Sequence, residues 1–202
     1  MYSKISNLVI GFHGCDQSTF DAVIKNGERL KNSTNDYDWL GHGQYYWERN
    51  YKRAYDWAIG QSKNPHSKIR KPAVIGAVID LGNCLSLDEA NSLKLLKESY
   101  DIMEDDFKFF GRKMPTNKTR GEGKDLLLRN LDCMVIEYLH DLNSVNNEHE
   151  YDSTKGVFIE GNPVYDNSGI YEKTHVQICI RNPNCIKGYF SPRDIDPNFN
   201  NC

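Results

Sequence analysis

The stretch Gly41–Ala58 changes its period halfway along, and no other segment limits the fold as much. Gly41 and Gly43 flank a single residue, so the backbone can turn sharply there and approach a neighbour or a ligand closely. Tyr45, Tyr46 and Trp47 then suit a short, half-buried strand. From Asn50 the pattern becomes helical, with Tyr51, Ala54, Tyr55 and Ala58 falling on one face. A turn, a strand and a helix within 18 residues place aromatic rings beside exposed backbone, an arrangement able to hold a flat ring by stacking. A tyrosine-rich core strand and helix is the other reading of the same pattern.

The rest of the chain supplies strands and helices in mixed order. Leu8–His13 reads as a first strand running into Gly14 and Cys15. A helix over about 19–26 follows, with Phe20, Val23 and Ile24 on one face and Gly27 at its end. Pro72–Leu81 is almost continuously apolar, as in a strand buried on both faces. Cys84–Leu87 reads as a short follower, and a helix continues through Leu93, Leu96 and Tyr100. The pair Phe109-Phe110 is expected in the core. The spacing predicts a helix over 124–142 whose apolar face is Leu127, Leu131, Met134, Val135, Tyr138 and Leu139. Strands are expected at 156–161, 171–180 and 186–190. In the second of these, Thr174, Val176, Ile178 and Ile180 point one way, while Lys173, His175, Gln177 and Cys179 point the other. Even βαβ alternation and a GxGxxG turn are both missing, so the expected class is α+β.

Composition narrows the function. A chain of 202 residues suits a single domain, here one spanning 1–202 with a helical insertion at about 88–150. The net charge of -3 provides no global basic field for nucleic acid, although Lys63–Lys71 is locally basic. The six cysteines show no CxxC pair and no zinc-like spacing with histidine, so no metal site is expected and the thiols suggest a reducing cytoplasm. The N-terminal segment before Leu8 has no signal-peptide pattern, and no apolar run approaches the ~18 residues of a membrane helix.

Three pieces in order carry a family resemblance: His13-Gly14 at the end of the first strand, Gly41-x-Gly43-x-Tyr45 with the helix after it, and Glu172 near the start of a late strand. Together they resemble the His-Tyr-Glu branch of the ADP-ribosyltransferase superfamily, which includes diphtheria-type toxins and poly(ADP-ribose) polymerases. The resemblance covers both ends and leaves about 85–150 unmatched. It implies a mixed, split β-sheet core with flanking helices and a mono-ADP-ribosyltransferase that cleaves NAD at the nicotinamide–ribose bond. By the same resemblance, Glu172 would stabilise positive charge developing on the ribose. His13 would hydrogen-bond the adenosine ribose, and the backbone of Gly14 would grip the nicotinamide amide. Tyr45 would stack on the nicotinamide, Tyr55 or Trp57 would close the other side, Gly43 would lie close to the dinucleotide and Arg53 near the pyrophosphate. Glu160 is a rival carboxylate on the preceding strand.

Ile170 stands where arginine-modifying relatives carry glutamate or glutamine, which argues against arginine as the acceptor. The implied partners are NAD, a protein or nucleic-acid acceptor selected by the loop 162–169, and an antitoxin if the chain is a toxin. NAD glycohydrolase activity, or nucleotide binding without turnover, are the alternatives on the same fold. The reading requires His13, Tyr45 and Glu172 to converge on one cleft.

Overall fold

The computed structural model of the chain describes residues 8–120, 124–194 and 198. The segment before Leu8, most of the tail after Asp194, and Cys202 lie outside the described residues. The strands are β1 (Leu8–Asp16), β2 (Gln44–Glu48), β3 (Pro72–Asp80), β4 (Cys84–Ser86), β5 (Ser153–Phe158), β6 (His175–Ile180) and β7 (Ile186–Phe190). The helices are α1 (Gln17–Ile24), α2 (Tyr51–Ser62), α3 (Ala90–Phe109) and α4 (Asn130–Val145). The α+β expectation holds. A mixed sheet runs β4-β5-β6-β2-β1-β3-β7, with only β4 and β5 parallel.

Hydrogen bonding is uneven across this sheet. The β1–β3 ladder carries nine residue pairs, from Leu8↔Asp80 to Asp16↔Pro72. Its neighbour, between β1 and β2, carries two, Gly11↔Glu48 and Phe12↔Trp47. The centre of the sheet is therefore also the place where two adjacent strands part.

Each face has its own cover. Ile75, Ile79, Tyr46, Ile178 and Ile180 form the larger core with Val23, Phe20 and Ile24 of α1. On the opposite face α2 lays Ala54, Ala58 and Trp57 against Phe12, Trp47 and Val74. Gly14 makes that approach possible, because a Cβ there would fall on the Ala54 carbonyl. Farther along the same face, Trp39 and Leu40 cover Phe158 and Cys179.

Several local expectations change. In α2, Tyr51 and Tyr55 are exposed and stack on each other, 6.0 Å between centroids, because the small Ala54 and Ala58 are what fit against the sheet. Phe109 and Phe110 are not in the core. α3 runs as far as Phe109 and leaves the pair 84% and 63% exposed. α4 begins at Asn130 and not near Lys124, since the Asn117 side chain accepts from the N–H groups of Leu131 and Asp132 and acts as a cap supplied from a distant loop. Its buried side is Cys133, Val135, Ile136, Leu139, His140 and Asn143, with Met134 turned outward. β5 ends at Phe158, leaving Glu160 beyond the strand, and β6 starts at His175, four residues later than the alternation suggests. Tyr171 instead bridges to Pro163, and Glu172 and Lys173 form a turn.

Candidate functional site

His13 and Tyr45 meet where β1 and β2 separate. His13 Nδ1–H donates to the Tyr45 carbonyl at 2.8 Å, so an imidazole spans the gap that the ladder leaves open. A carbonyl can only accept, which fixes the proton on Nδ1 and leaves a lone pair on Nε2 in the neutral ring. Burial pulls the His13 pKa below its ordinary value and outweighs the carbonyl contact, so that neutral ring is the form present near pH 7.

Strand alternation then separates the side chains. His13 lies on the face of Tyr46, their rings 5.9 Å apart, and diagonal to Glu48, which pairs with Lys155 at 2.9 Å. Tyr45 points to the other face, toward Leu40, Phe158 and Cys179. Its hydroxyl donates to the Gly41 carbonyl at 2.6 Å and accepts from the Leu40 N–H at 2.8 Å, so it locks the turn before β2. Glu172 sits exposed in the turn before β6 and accepts from the Asn162 N–H at 3.4 Å. Of the three residues expected in one cleft, His13 and Tyr45 meet only through the His13 ring and the Tyr45 carbonyl, and Glu172 bonds to neither.

On Tyr45's face, the sheet ends in a buried polar knot. Arg53 Nη2 of α2 donates to Glu160 at 2.8 Å, and His175 Nδ1 lies 3.6 Å from the same oxygen while donating to the Lys173 carbonyl at 2.6 Å. The side chains of Arg53, Glu160 and His175 are 19%, 7% and 0% exposed. Trp39, Trp47 and Phe158 surround the His175 ring, with centroids between 5.9 and 6.4 Å away. Arg129 lies over Trp39 and Phe158, at 4.4 and 4.7 Å from the ring centres. Burial lowers the His175 pKa. Among the described residues, Arg53 Nε, Trp47 Nε1 and His175 Nε2 are buried without a partner. Arg53 is therefore committed to Glu160, while Trp57 packs on Trp47 with ring centres 5.6 Å apart.

Gln177 is the polar side chain that sequence reasoning left without a role. It pairs with Trp47 and Gly156, which puts it on Tyr45's face between the two covers, where both it and Tyr45 stay half-buried. The alternation of His175, Gln177 and Cys179 was the available signal. No local pattern announced Glu48–Lys155 or Arg129, because their partners lie in distant segments.

Gly43 sits against Cys179 and the Ile180 carbonyl, too close for a side chain. Gly41 has φ +77°, the left-handed region. From α4, Glu137 accepts from the His42 N–H at 2.7 Å and from Arg181 Nη1 at 2.5 Å, gripping the Gly-x-Gly turn from outside. Burial opposes the Glu137 charge, but these bonds prevail and keep its pKa below the ordinary value.

No group of three or more His, Cys, Asp or Glu among the described residues could hold a metal ion. No helix among them is long and apolar enough to cross a membrane. No family model matches the chain, and no solved structure matches it. Among curated proteins, an uncharacterized protein of Methanocaldococcus jannaschii is 23% identical over 192 residues, covering 87% of this chain and 83% of its own length.

Proposed function

We propose that the chain is a mono-ADP-ribosyltransferase that cleaves NAD at the nicotinamide–ribose bond and passes ADP-ribose to a protein or nucleic-acid acceptor. The observation that carries this reading is the His13–Tyr45 bond at 2.8 Å, at the point where β1 and β2 part. It links the strand-end His-Gly to the Gly-x-Gly-x-Tyr strand, and it leaves His13 Nε2 able to accept a ribose hydroxyl. Loss of nicotinamide gives the ribose oxocarbenium character, which an ionised carboxylate stabilises. In this reading Glu172 supplies that charge: it is exposed, and among the described residues its carboxylate accepts one long hydrogen bond, from the Asn162 N–H. The loop 162–169 before it carries exposed Val164 and Tyr165, surface for choosing an acceptor.

The test is incubation of the protein with labelled NAD in cell extract, followed by nicotinamide release and mass spectrometry of labelled macromolecules. Glu172→Gln is expected to lower turnover by roughly 100-fold or more while NAD binding persists. Undiminished activity in that variant removes Glu172 from the mechanism. Free ADP-ribose with no labelled acceptor identifies an NAD glycohydrolase instead.

A second reading is nucleotide binding without turnover. The Tyr45 hydroxyl is consumed by the Leu40–Gly41 turn, and His13 and Tyr45 point to opposite faces, which favours it. NAD binding by calorimetry with no nicotinamide release would select it.

A further inference from the structure

A polar cavity of about 350 Å³ opens at the end of β6 remote from Glu172 and His175. Its walls include Asn32, His42, Glu150, Tyr151 and Arg181. Arg181 is held by one nitrogen only: Nη1 donates to Glu137 at 2.5 Å and to the His42 carbonyl at 3.3 Å. Its Nε and Nη2 edge has no protein partner among the described residues and is not sealed from solvent. The Glu150 carboxylate likewise has no partner among them. Asp152, also on the wall, differs: its two carboxylate oxygens accept from Asn83 N–H at 2.8 Å and Asn182 Nδ2 at 2.7 Å. The cavity therefore offers one free guanidinium edge, one free carboxylate and the Tyr151 ring. That ring is backed edge-on by His140, with centroids 5.9 Å apart.

A guanidinium edge matches two acceptors side by side, and a carboxylate matches two donors side by side. Guanine carries both pairs on one rigid frame: O6 and N7 on one edge, N1–H and N2–H on the other. Adenine presents an amino donor where guanine has O6, so it would set donor against donor at Arg181. A simple anion is disfavoured, because Glu137, Glu150 and Asp152 already outnumber the one arginine. The volume suits a nucleoside, at the lower end of ligand pockets of ~300–1,000 Å³.

We propose that this cavity is a guanine-binding site, with Arg181 reading the O6/N7 edge and Glu150 the N1/N2 edge. The base arrives either on a free nucleoside or nucleotide or as an unpaired guanine in a nucleic-acid strand, and both present the same two edges.

The experiment is calorimetric titration of the full chain with guanosine, adenosine, and a short single-stranded oligonucleotide containing one guanine. Guanosine is expected to bind at least about tenfold more tightly than adenosine. Glu150→Gln removes a carboxylate on which the fold does not depend, and should weaken guanosine by about tenfold. Arg181→Lys keeps the charge, loses the planar fork and should weaken it similarly. Tighter binding of the oligonucleotide than of guanosine assigns the base to a strand, and equal binding assigns it to a free nucleoside. No guanosine binding up to about 10 mM, equal affinity for adenosine, or an unchanged Glu150→Gln variant overturns the proposal.

Discussion

The two ends of β6 carry the same three residue types. At the start are Arg53, Glu160 and His175, and at the finish are Arg181, Glu137 and His42. In the first set the side chains are 19%, 7% and 0% exposed and are shut in by Trp39, Trp47 and Phe158. In the second they are 22%, 23% and 35% exposed, and Arg181 and His42 border an open cavity. Identical chemistry thus gives an enclosed strut in one place and part of an open cavity's rim in the other. The two arginines are almost equally exposed, so the difference lies in their surroundings: Glu160 is 7% exposed and Arg53 Nε is sealed from water, whereas Glu137 is 23% exposed and no Arg181 nitrogen is sealed off unpaired.

Removing the carboxylate from each set tests that difference most directly. Glu160→Ala leaves Arg53 buried and unpaired and should cost about 3–5 kcal/mol in denaturant unfolding. Glu137→Ala leaves Arg181 with water available and should cost about 1–2 kcal/mol. Equal losses would break the comparison.

Acid provides the next largest effect. His140, 3% exposed behind the second set, has its pKa pulled down to about 4 by burial and by Arg181. Its folded value lies below the ordinary 6.5, so the unfolded chain takes up the proton first. The stability this confers is complete above pH 6.5 and is lost as pH falls toward 4, at up to roughly 1.4 kcal/mol per pH unit. His140→Phe keeps a ring against Tyr151 and should flatten that part of the stability–pH curve. An unchanged curve would assign the acid sensitivity elsewhere, with His175 the next candidate.

Gly41→Ala sharpens the role of Glu137. The position has φ +77°, and a Cβ would lie 2.5 Å from Glu137 Oε1. A loss of about 2 kcal/mol is expected from melting curves. Combining it with Glu137→Ala should recover part of that loss, and full additivity would mean the two do not touch. The smallest effect belongs to Phe109→Ser, which should change stability by no more than about 0.5 kcal/mol, since the ring is 84% exposed.

Much of the architecture was readable from short-range pattern. The buried strand Pro72–Asp80, the strand and helix after Gly41-x-Gly43, and the short closing strand Ile186–Phe190 lie where apolar runs and periodicity put them. Errors came where distant partners overrule local preference. Asn117 moves the start of α4, small alanines turn the tyrosines of α2 outward, and the bridge of Tyr171 to Pro163 delays β6. Of the candidate site, sequence supplied His13, Gly14, Gly43 and Tyr45, but not the faces they occupy relative to one another.

By itself the sequence determined residue types and periods: a mixed α+β chain, a glycine-flanked aromatic strand, and histidines and carboxylates at element ends. Those properties depend on neighbours a few positions away, which is the range over which dihedral preferences and side-chain alternation act. Only the tertiary structure decided that β1 and β2 part at His13, that Arg53 is spent on Glu160, and that Arg181 keeps a free edge beside Glu150. Each of those outcomes depends on which distant group arrives within hydrogen-bond reach and on how much water is left between them, and neither is encoded in local spacing.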